Sequence, residues 1–169
     1  MILDVSPAAY EEKTILHNLM QLYLYDFSEM DGKSVNESGI FDSRYLELYW
    51  SEPERFPYLV RVDSQLAGFA LLRKGSYFSE QEDQNLVGMI IAEYFVMRKF
   101  RRQGVGSRVA RQIFDRFPGR WEIAQQLENE IGQAFWRTLI ADYTHGDYRE
   151  VLLDKHGPVQ VFDNSKLPA

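Results

Sequence analysis

A strand, a turn and a helix follow one another between Leu86 and Phe117, and this order limits the possible folds more than any other feature of the sequence. Residues 86–97 form the most apolar strand candidate, and apolar residues then recur at helical spacing up to a Pro-Gly pair at 118–119. A further strand is predicted at 121–126. Because the helix separates these two strands, we expect them to run parallel.

The other strands are predicted to pair as hairpins. Residues 57–62 and 65–74 are separated by an Asp-Ser pair that suits a tight turn, and strands at 148–153 and 159–162 close the chain. The predicted fold class is therefore α/β of the α+β kind, with a mixed, largely antiparallel central sheet flanked by helices. We expect a single domain over residues 1–169.

Three further helices are expected. The first covers about residues 7–27, with Ser6 as the N-cap and Pro7 at the first helical position. A short helix is predicted around Tyr45–Tyr49, and another at 131–139.

Composition excludes several classes of function. The sequence contains no cysteine, so disulfides, thiolate metal sites and a cysteine nucleophile are ruled out. Its three histidines are scattered without ligand spacing, and we expect no metal site. A net charge of −6 argues against a nucleic-acid partner. The sequence has no apolar run long enough to span a bilayer and no signal-peptide pattern, so we expect a cytoplasmic protein without a membrane partner. We expect a monomer or a homodimer.

Basic residues are concentrated between positions 98 and 111, although the chain as a whole is acidic. Such a cluster indicates one polyanionic ligand, for example a nucleotide-like cofactor. The alternative is a solvated helix face, which we favour for Arg111 and Arg116. The cluster consists of Arg98, Lys99, Arg101, Arg102, Arg108 and Arg111.

The turn at 101–107 has features of a phosphate site. It precedes a helix, whose first N–H groups are unpaired, and its glycines allow a ligand to approach the backbone closely. Ser107 adds a hydroxyl donor. A P-loop is excluded because Ser107-Arg108 stands where Lys-Ser/Thr is needed, and a dinucleotide fingerprint is excluded because Val109 replaces its third small residue.

The pattern Arg-x-x-Gly-x-Gly between a strand and a helix resembles the coenzyme A-binding signature of the GNAT acyltransferase superfamily. Asn129, followed by Gly132 and then Phe135-Trp136, resembles the next segment of that family. The resemblance covers about residues 57–140. It implies a transferase that moves an acetyl group from acetyl-coenzyme A to a primary amine of a small molecule, by direct attack in a ternary complex.

The resemblance also implies where the cofactor binds. It would lie in a cleft formed where two parallel strands splay apart, with the strand before the turn binding the pantetheine arm and the turn binding the pyrophosphate. Asn129 would bond the pantetheine arm or cap the next helix, and both readings stay open. The predicted cofactor-binding residues are Phe95, Val96, Met97, Arg101, Arg102, Gln103, Gly104, Val105, Gly106, Ser107, Asn129 and Trp136.

Glu93 is the predicted general base, because it is an acidic residue inside an apolar strand. If it lines the cleft, desolvation raises its pKa toward a useful range. The alternative is an edge-facing or ion-paired glutamate. Glu122, on the next predicted strand, is the second candidate for the base.

The general acid is harder to assign, because the family usually has a tyrosine where this chain has Trp136. An indole N–H cannot transfer a proton near neutral pH. Either another tyrosine serves (Tyr94, Tyr143 or Tyr148), or the thiolate leaves unaided. Trp136 lies off the apolar stripe predicted for its helix, so we expect it to pack on the pantetheine arm or to narrow the acyl pocket.

The acceptor site is predicted from aromatic and acidic residues near the end of the first helix, which suit a small cation. The alternative is that Tyr23 belongs to the core and the acids are solvated. The residues concerned are Tyr23, Tyr25, Asp26, Glu29 and Asp31. Two other functions stay open: a sensor or pseudoenzyme that binds acyl-coenzyme A, and an acetyltransferase that modifies a protein amine or a charged transfer RNA.

Overall fold

The computed structural model describes residues 1–78 and 88–167. Its strands are β1 (Leu3–Pro7), β2 (Arg55–Val62), β3 (Gln65–Gly75), β4 (Gly88–Val96), β5 (Arg120–Ala124), β6 (Arg149–Leu153) and β7 (Gly157–Asp163). Its α-helices are α1 (Lys13–Asp31), α2 (Leu48–Ser51), α3 (Val105–Arg116) and α4 (Glu130–Tyr143). Short 3₁₀ turns at Tyr10–Glu12 and Arg44–Glu47 precede α1 and α2.

The strands form one seven-stranded sheet in the order β1-β2-β3-β4-β5-β7-β6. Neighbouring strands are antiparallel except for β4 and β5, which run parallel and are connected by α3. The predicted mixed, largely antiparallel sheet flanked by helices is therefore confirmed, as is the position of its parallel step. Among the described helices, none is long and apolar enough to cross a membrane.

The two parallel strands splay apart along β4. They pair at Met89 with Trp121 and at Ile90 with Glu122, near the start of each strand. In the described structure, β4 continues to Val96 without a further partner on that side. A gap between these two strands is what the resemblance to the GNAT superfamily implied.

The prediction for the start of the chain was wrong. Ser6 and Pro7 belong to β1, which pairs antiparallel with β2, and α1 begins only at Lys13. Val5, in the middle of β1, is 3% exposed, so this short segment is held by burial and by the ladder to β2. A serine-proline pair is compatible with a helix start, but pairing with a distant strand decided the outcome.

The predicted hairpin between β2 and β3 is confirmed. Asp63 and Ser64 both have positive φ, 48° and 66°, as a tight two-residue hairpin turn requires. The short helix predicted around Tyr45–Tyr49 is also confirmed. Residues 86 and 87 of the predicted 86–97 strand lie outside the described residues.

Helices cover both faces of the sheet. On one face, α3 and α4 pack their apolar residues on the sheet around the fully buried Trp121. On the other face, α1 and α2 pack on Leu59, Phe69 and Leu71. The unpaired half of β4 therefore lies between α1 on one side and the first turns of α3 and α4 on the other.

Candidate active site

A cleft of about 800 Å³ occupies the gap between β4 and β5. It is lined by residues of α1, β4, β5 and α4 and by the turn at residues 101–107, called the Arg/Gly turn below. The cleft therefore brings together most of the residues that were predicted to form one site. Its lining includes Tyr23, Asp26, Glu29, Glu93, Phe95, Val96, Arg101, Arg102, Gly104, Gly106, Ser107, Gln125, Asn129 and Trp136.

The start of α3 is the candidate anion site at one end of the cleft. Arg102 and Gly104 have left-handed φ angles of 58° and 76°, which turn the chain sharply into the helix. The first helical bond runs from Arg108 N to Gly104 O (3.1 Å), so the three N–H groups before Arg108 have no carbonyl one turn back. These donors and the positive helix end favour a phosphate.

The two glycines of the turn have different structural roles. A Cβ on Gly104 would have no heavy atom within 4 Å, so the left-handed φ is the reason for glycine there. A Cβ on Gly106 would lie 3.3 Å from Cζ of Phe135 on α4. Gly106 therefore permits the close packing of α3 on α4.

The side chains of Gln103 and Val105 do not face the cleft. Gln103 Nε2 donates to Lys99 O (2.7 Å), and Val105 is 1% exposed in the core. A contact of Val105 with a ligand would therefore use the main chain.

Main-chain groups of β4 alternate between the cleft and β3. Met97 N donates to Ala67 O (2.8 Å), so its N–H is used inside the sheet and the expected contact with a pantetheine arm is not available to it. Phe95 pairs with Phe69 on β3, so its main-chain groups are directed at β3. The main-chain groups of Val96 are directed the other way, and its carbonyl accepts from Arg101 Nε (2.6 Å). Of the three predicted residues, Val96 is the one whose carbonyl faces the cleft.

A β-bulge places Glu93 on the α1 side of the sheet. Leu71 is opposite Glu93 and Leu72 is opposite Ile91, which leaves Ala92 as an extra residue in β4. Ile91 packs in the core beneath α3 and α4. Without the extra residue, alternation would put Glu93 on that same face.

Two phenols bind the carboxylate of Glu93. Tyr23 on α1 donates to Oε2, and Tyr45 donates to Oε1 at 3.2 Å. Burial raises the pKa of Glu93 above its ordinary value, although the hydrogen bonds from Tyr23 and Tyr45 lower it. Burial also raises the pKa of both phenols, which keeps them protonated as donors. A carboxylate with a raised pKa is a stronger proton acceptor than an ordinary glutamate, which suits a general base.

Glu122, the second candidate for the base, has a structural role instead. It is fully buried and accepts hydrogen bonds from Ser76 Oγ (2.7 Å), Tyr77 N (2.7 Å) and the Arg120 guanidinium (2.9 Å). It does not line the cleft. Its carboxylate joins β5 to the segment after β3.

Asn129 caps α4. Its Oδ1 accepts from Gly132 N (2.9 Å), and a Cβ on Gly132 would lie 2.4 Å from Asn129 Nδ2, which explains the glycine. Of the two roles left open by the sequence, capping is therefore present. Asn129 also lies at the edge of the cleft, so the contact with a pantetheine arm stays a prediction.

The prediction that Trp136 lies off the buried stripe of α4 was wrong. Trp136 is 6% exposed and packs edge-on against Tyr94 and Phe135, with ring centroids 5.0 Å away in each pair. Ile131, which defined the expected stripe, is 85% exposed. Gln133 occupies the buried face instead, because its Nε2 donates to the carbonyls of residues 126 and 127. Trp136 is a core residue with one edge on the cleft.

The tyrosines proposed to replace the missing acid have other partners. Tyr94 donates to Gly106 O (2.5 Å), and Tyr143 donates to Asp115 Oδ1 (2.8 Å). Tyr148 packs against the core beneath α3 and α4. The phenols that contact the buried carboxylate of Glu93 are those of Tyr23 and Tyr45. No pattern in the sequence indicated these long-range contacts.

Only some of the residues predicted for the acceptor site lie together in the cleft. Tyr23, Asp26 and Glu29 line the cleft, whereas Tyr25 is 66% exposed and Asp31 forms an ion pair with Lys33. Tyr23 is 8% exposed in the core, as the alternative expected, and its hydroxyl meets Glu93; its contact with an acceptor stays a prediction. Within residues 1–78 and 88–167, no three His, Asp or Glu side chains are grouped to hold a metal ion.

The family of the chain follows from its sequence profile. Residues 16–139 match the model of the acetyltransferase (GNAT) family, which is well over half of the chain. The chain belongs to the GNAT acetyltransferase family. It is therefore an N-acetyltransferase, as the resemblance implied. A search of curated protein sequences gives no match.

Similar solved structures have the same fold at low identity. An acetyltransferase from Thermus thermophilus is 17% identical with a TM-score of 0.69, covering 96% of this chain and 97% of its own. The PaiA N-acetyltransferase from Thermoplasma acidophilum, in complex with coenzyme A, is 10% identical with a TM-score of 0.60, covering 96% and 99%. The aminoglycoside 6'-N-acetyltransferase AAC(6')-Ih from Acinetobacter baumannii is 13% identical with a TM-score of 0.59, covering 82% and 89%.

Proposed function

We propose that this GNAT acetyltransferase moves an acetyl group from acetyl-coenzyme A to a primary amine of a small molecule, by direct attack in a ternary complex. The observation that carries the proposal is one cleft with the anion site of α3 at one end and the buried carboxylate of Glu93 on its wall. A pyrophosphate-bearing thioester donor and an amine acceptor need those two groups in one cavity.

The residues of the turn fit the diphosphate of coenzyme A. The open space beside Gly104 leaves the helix N–H groups accessible, and arginines border them. The pyrophosphate would be held by residues 101–107, through the side chains of Arg101, Arg102 and Ser107 and through main-chain donors elsewhere. The carbonyl of Val96 would accept from the pantetheine arm, and Asn129 and Trp136 would border it.

Glu93 would take the proton that the amine must lose. When bound, acetyl-coenzyme A supplies the thioester carbonyl at which the new C–N bond forms and the C–S bond breaks. A protonated amine has no free electron pair, so Glu93 must be ionised to accept its proton. Tyr23 and Tyr45 hold the carboxylate in place and stabilise its ionised form.

A small cationic acceptor is supported by the charges on the α1 wall. Glu29 and Asp26 line the cleft beside Tyr23, and carboxylates with aromatic rings attract a protonated amine. The aminoglycoside N-acetyltransferase with the same fold also supports an acceptor of this class.

The direct test is an amine panel with acetyl-coenzyme A as donor. Because the chain has no cysteine, release of the coenzyme A thiol can be followed with a thiol reagent that the enzyme itself does not consume. We expect thiol release to depend on one class of amine, with a matching acetylated product by mass spectrometry. Coenzyme A binding without a product from any amine, including lysine peptides, would point to a sensor instead.

A further inference from the structure

Asp26 on α1 holds two arginines that border the anion site. Its Oδ1 accepts from Arg98 Nη2 at 2.8 Å, and its Oδ2 accepts from Arg101 Nη2 at 2.6 Å. Burial alone would raise the pKa of Asp26, but the hydrogen bonds from Arg101 and Arg98 lower it below its ordinary value. The carboxylate is therefore ionised at neutral pH, and each of its oxygens is engaged by an arginine.

The same contact fixes Arg101 across the end of β4. Arg101 Nε donates to Val96 O at 2.6 Å, and its guanidinium lies 5.6 Å from the centre of the Phe95 ring. Arg101 thus covers the carbonyl that faces the cleft while its other end is directed at Asp26. In this arrangement the guanidinium groups of Arg98 and Arg101 point toward α1, and the single negative charge of Asp26 offsets part of their positive charge there.

We propose that Asp26 is a positioning residue that acts as an internal counter-anion, holding Arg98 and Arg101 until the pyrophosphate of coenzyme A displaces it. The inference rests on the proposed function, because it takes coenzyme A as the ligand of the anion site. A diphosphate carries more charge and more acceptor oxygens than one carboxylate, and arginine binds phosphate oxygens in a bidentate manner. The pyrophosphate should therefore bind both arginine side chains more strongly than Asp26 does.

The exchange links the cofactor to the region of the general base. Asp26 is one helical turn after Tyr23, which donates to Glu93. Displacement of Asp26 frees this part of α1 from the turn and leaves a carboxylate without its arginines on the wall that meets the acceptor amine. Since binding linkage is reciprocal, an amine that engages Asp26 should also favour the cofactor.

The test is the affinity for coenzyme A, measured by calorimetry in the wild type and in Asp26→Asn. A ligand that must displace an internal group binds more weakly than its intrinsic affinity, so Asp26→Asn should tighten coenzyme A binding by about three- to tenfold. In a background of Arg101→Ala, the same substitution should give a smaller gain, because its main partner is gone.

Glu29→Gln is the matched control. It removes the same charge from the same helix and the same cleft wall, and within the described residues no ion pair joins Glu29 to Arg98 or Arg101. A smaller gain in coenzyme A affinity in Glu29→Gln than in Asp26→Asn supports displacement. Equal gains would mean that the loss of any negative charge from this wall has the same effect, which overturns the inference. Unchanged or weaker binding in Asp26→Asn also overturns it.

A crystal structure of the wild type with coenzyme A gives a second measurement that does not depend on how the variant folds. We expect Arg98 and Arg101 to contact the phosphates and to have left Asp26. Retention of both ion pairs in that complex contradicts the inference. Failure of the wild type to bind coenzyme A at all would instead contradict the proposed function.

Discussion

The phenol of Tyr23 donates a hydrogen bond to the carboxylate of Glu93, although the two residues are 70 positions apart in the sequence. The contact joins α1 to the unpaired half of β4, across the wall of the cleft. It depends on the bulge at Ala92, which turns Glu93 toward α1. For the proposed base Glu93, this contact means that neighbouring residues adjust the pKa of the carboxyl group.

Replacing Tyr23 by phenylalanine should move the acidic limb of the pH–rate profile to higher pH. Glu93 works when ionised, burial raises its pKa, and the Tyr23 hydrogen bond lowers it. Loss of that donor therefore raises the pKa further. The measurement is kcat/KM for acetyl transfer against pH. Tyr25→Phe, at an exposed position of the same helix, is the control, and an identical profile in both variants would argue against the contact.

Gly104 should tolerate asparagine better than valine. Its φ of 76° costs a residue with a β-carbon roughly 1–2 kcal/mol, and asparagine adopts this conformation more readily than a β-branched residue. We expect Gly104→Val to lower the free energy of unfolding and to bind coenzyme A more weakly than Gly104→Asn. Chemical denaturation and calorimetry measure the two effects, and equal behaviour of both variants would show that the left-handed turn does not matter.

Trp136 should contribute mainly to stability. It packs with Tyr94, Phe114 and Phe135 in the core, so Trp136→Ala should cost about 3–5 kcal/mol of unfolding free energy. Trp136→Tyr should lose less and should retain coenzyme A binding and acetyl transfer. Denaturation curves for both variants provide the check. If Trp136→Ala is as stable as the wild type but accepts longer acyl chains, the ring acts on the acyl pocket instead.

Glu122→Gln should destabilise the fold without affecting the chemistry. The substitution puts an amide where a fully buried carboxylate accepts hydrogen bonds from Ser76, Tyr77 and Arg120, so at least one donor loses its acceptor, at a cost of about 1–3 kcal/mol. The turnover number per folded molecule should equal that of the wild type. A large fall in turnover at unchanged stability would return Glu122 to the role of base.

Local patterns predicted much of this fold. The Asp63-Ser64 turn, the strand before the Arg/Gly turn and the amphipathic α3 could each be assigned because their residues determine short-range geometry. The parallel step then followed from chain connectivity. The geometry at the start of α3 could also be predicted from the sequence, because one short segment supplies all of its groups, whereas its role as a phosphate site stays a prediction.

Long-range contacts account for the errors. β1 exists because it pairs with β2, which overrode the helix-start signal of Ser6 and Pro7. The buried face of α4 was misread because Gln133 is satisfied by nearby carbonyls, while Ile131 is exposed in the first turn. Tyr45 at Glu93 could not be found either, since no local spacing relates residues on separate elements.

Glu93→Gln gives the most direct test of the proposed chemistry. With saturating acetyl-coenzyme A and the amine found in the panel, turnover should fall by about two to four orders of magnitude, while coenzyme A affinity stays near that of the wild type. The acidic limb of the pH–rate profile should disappear in the variant, because the group that titrates is gone. Full turnover in Glu93→Gln with an unchanged acidic limb would contradict the role of Glu93 as the base.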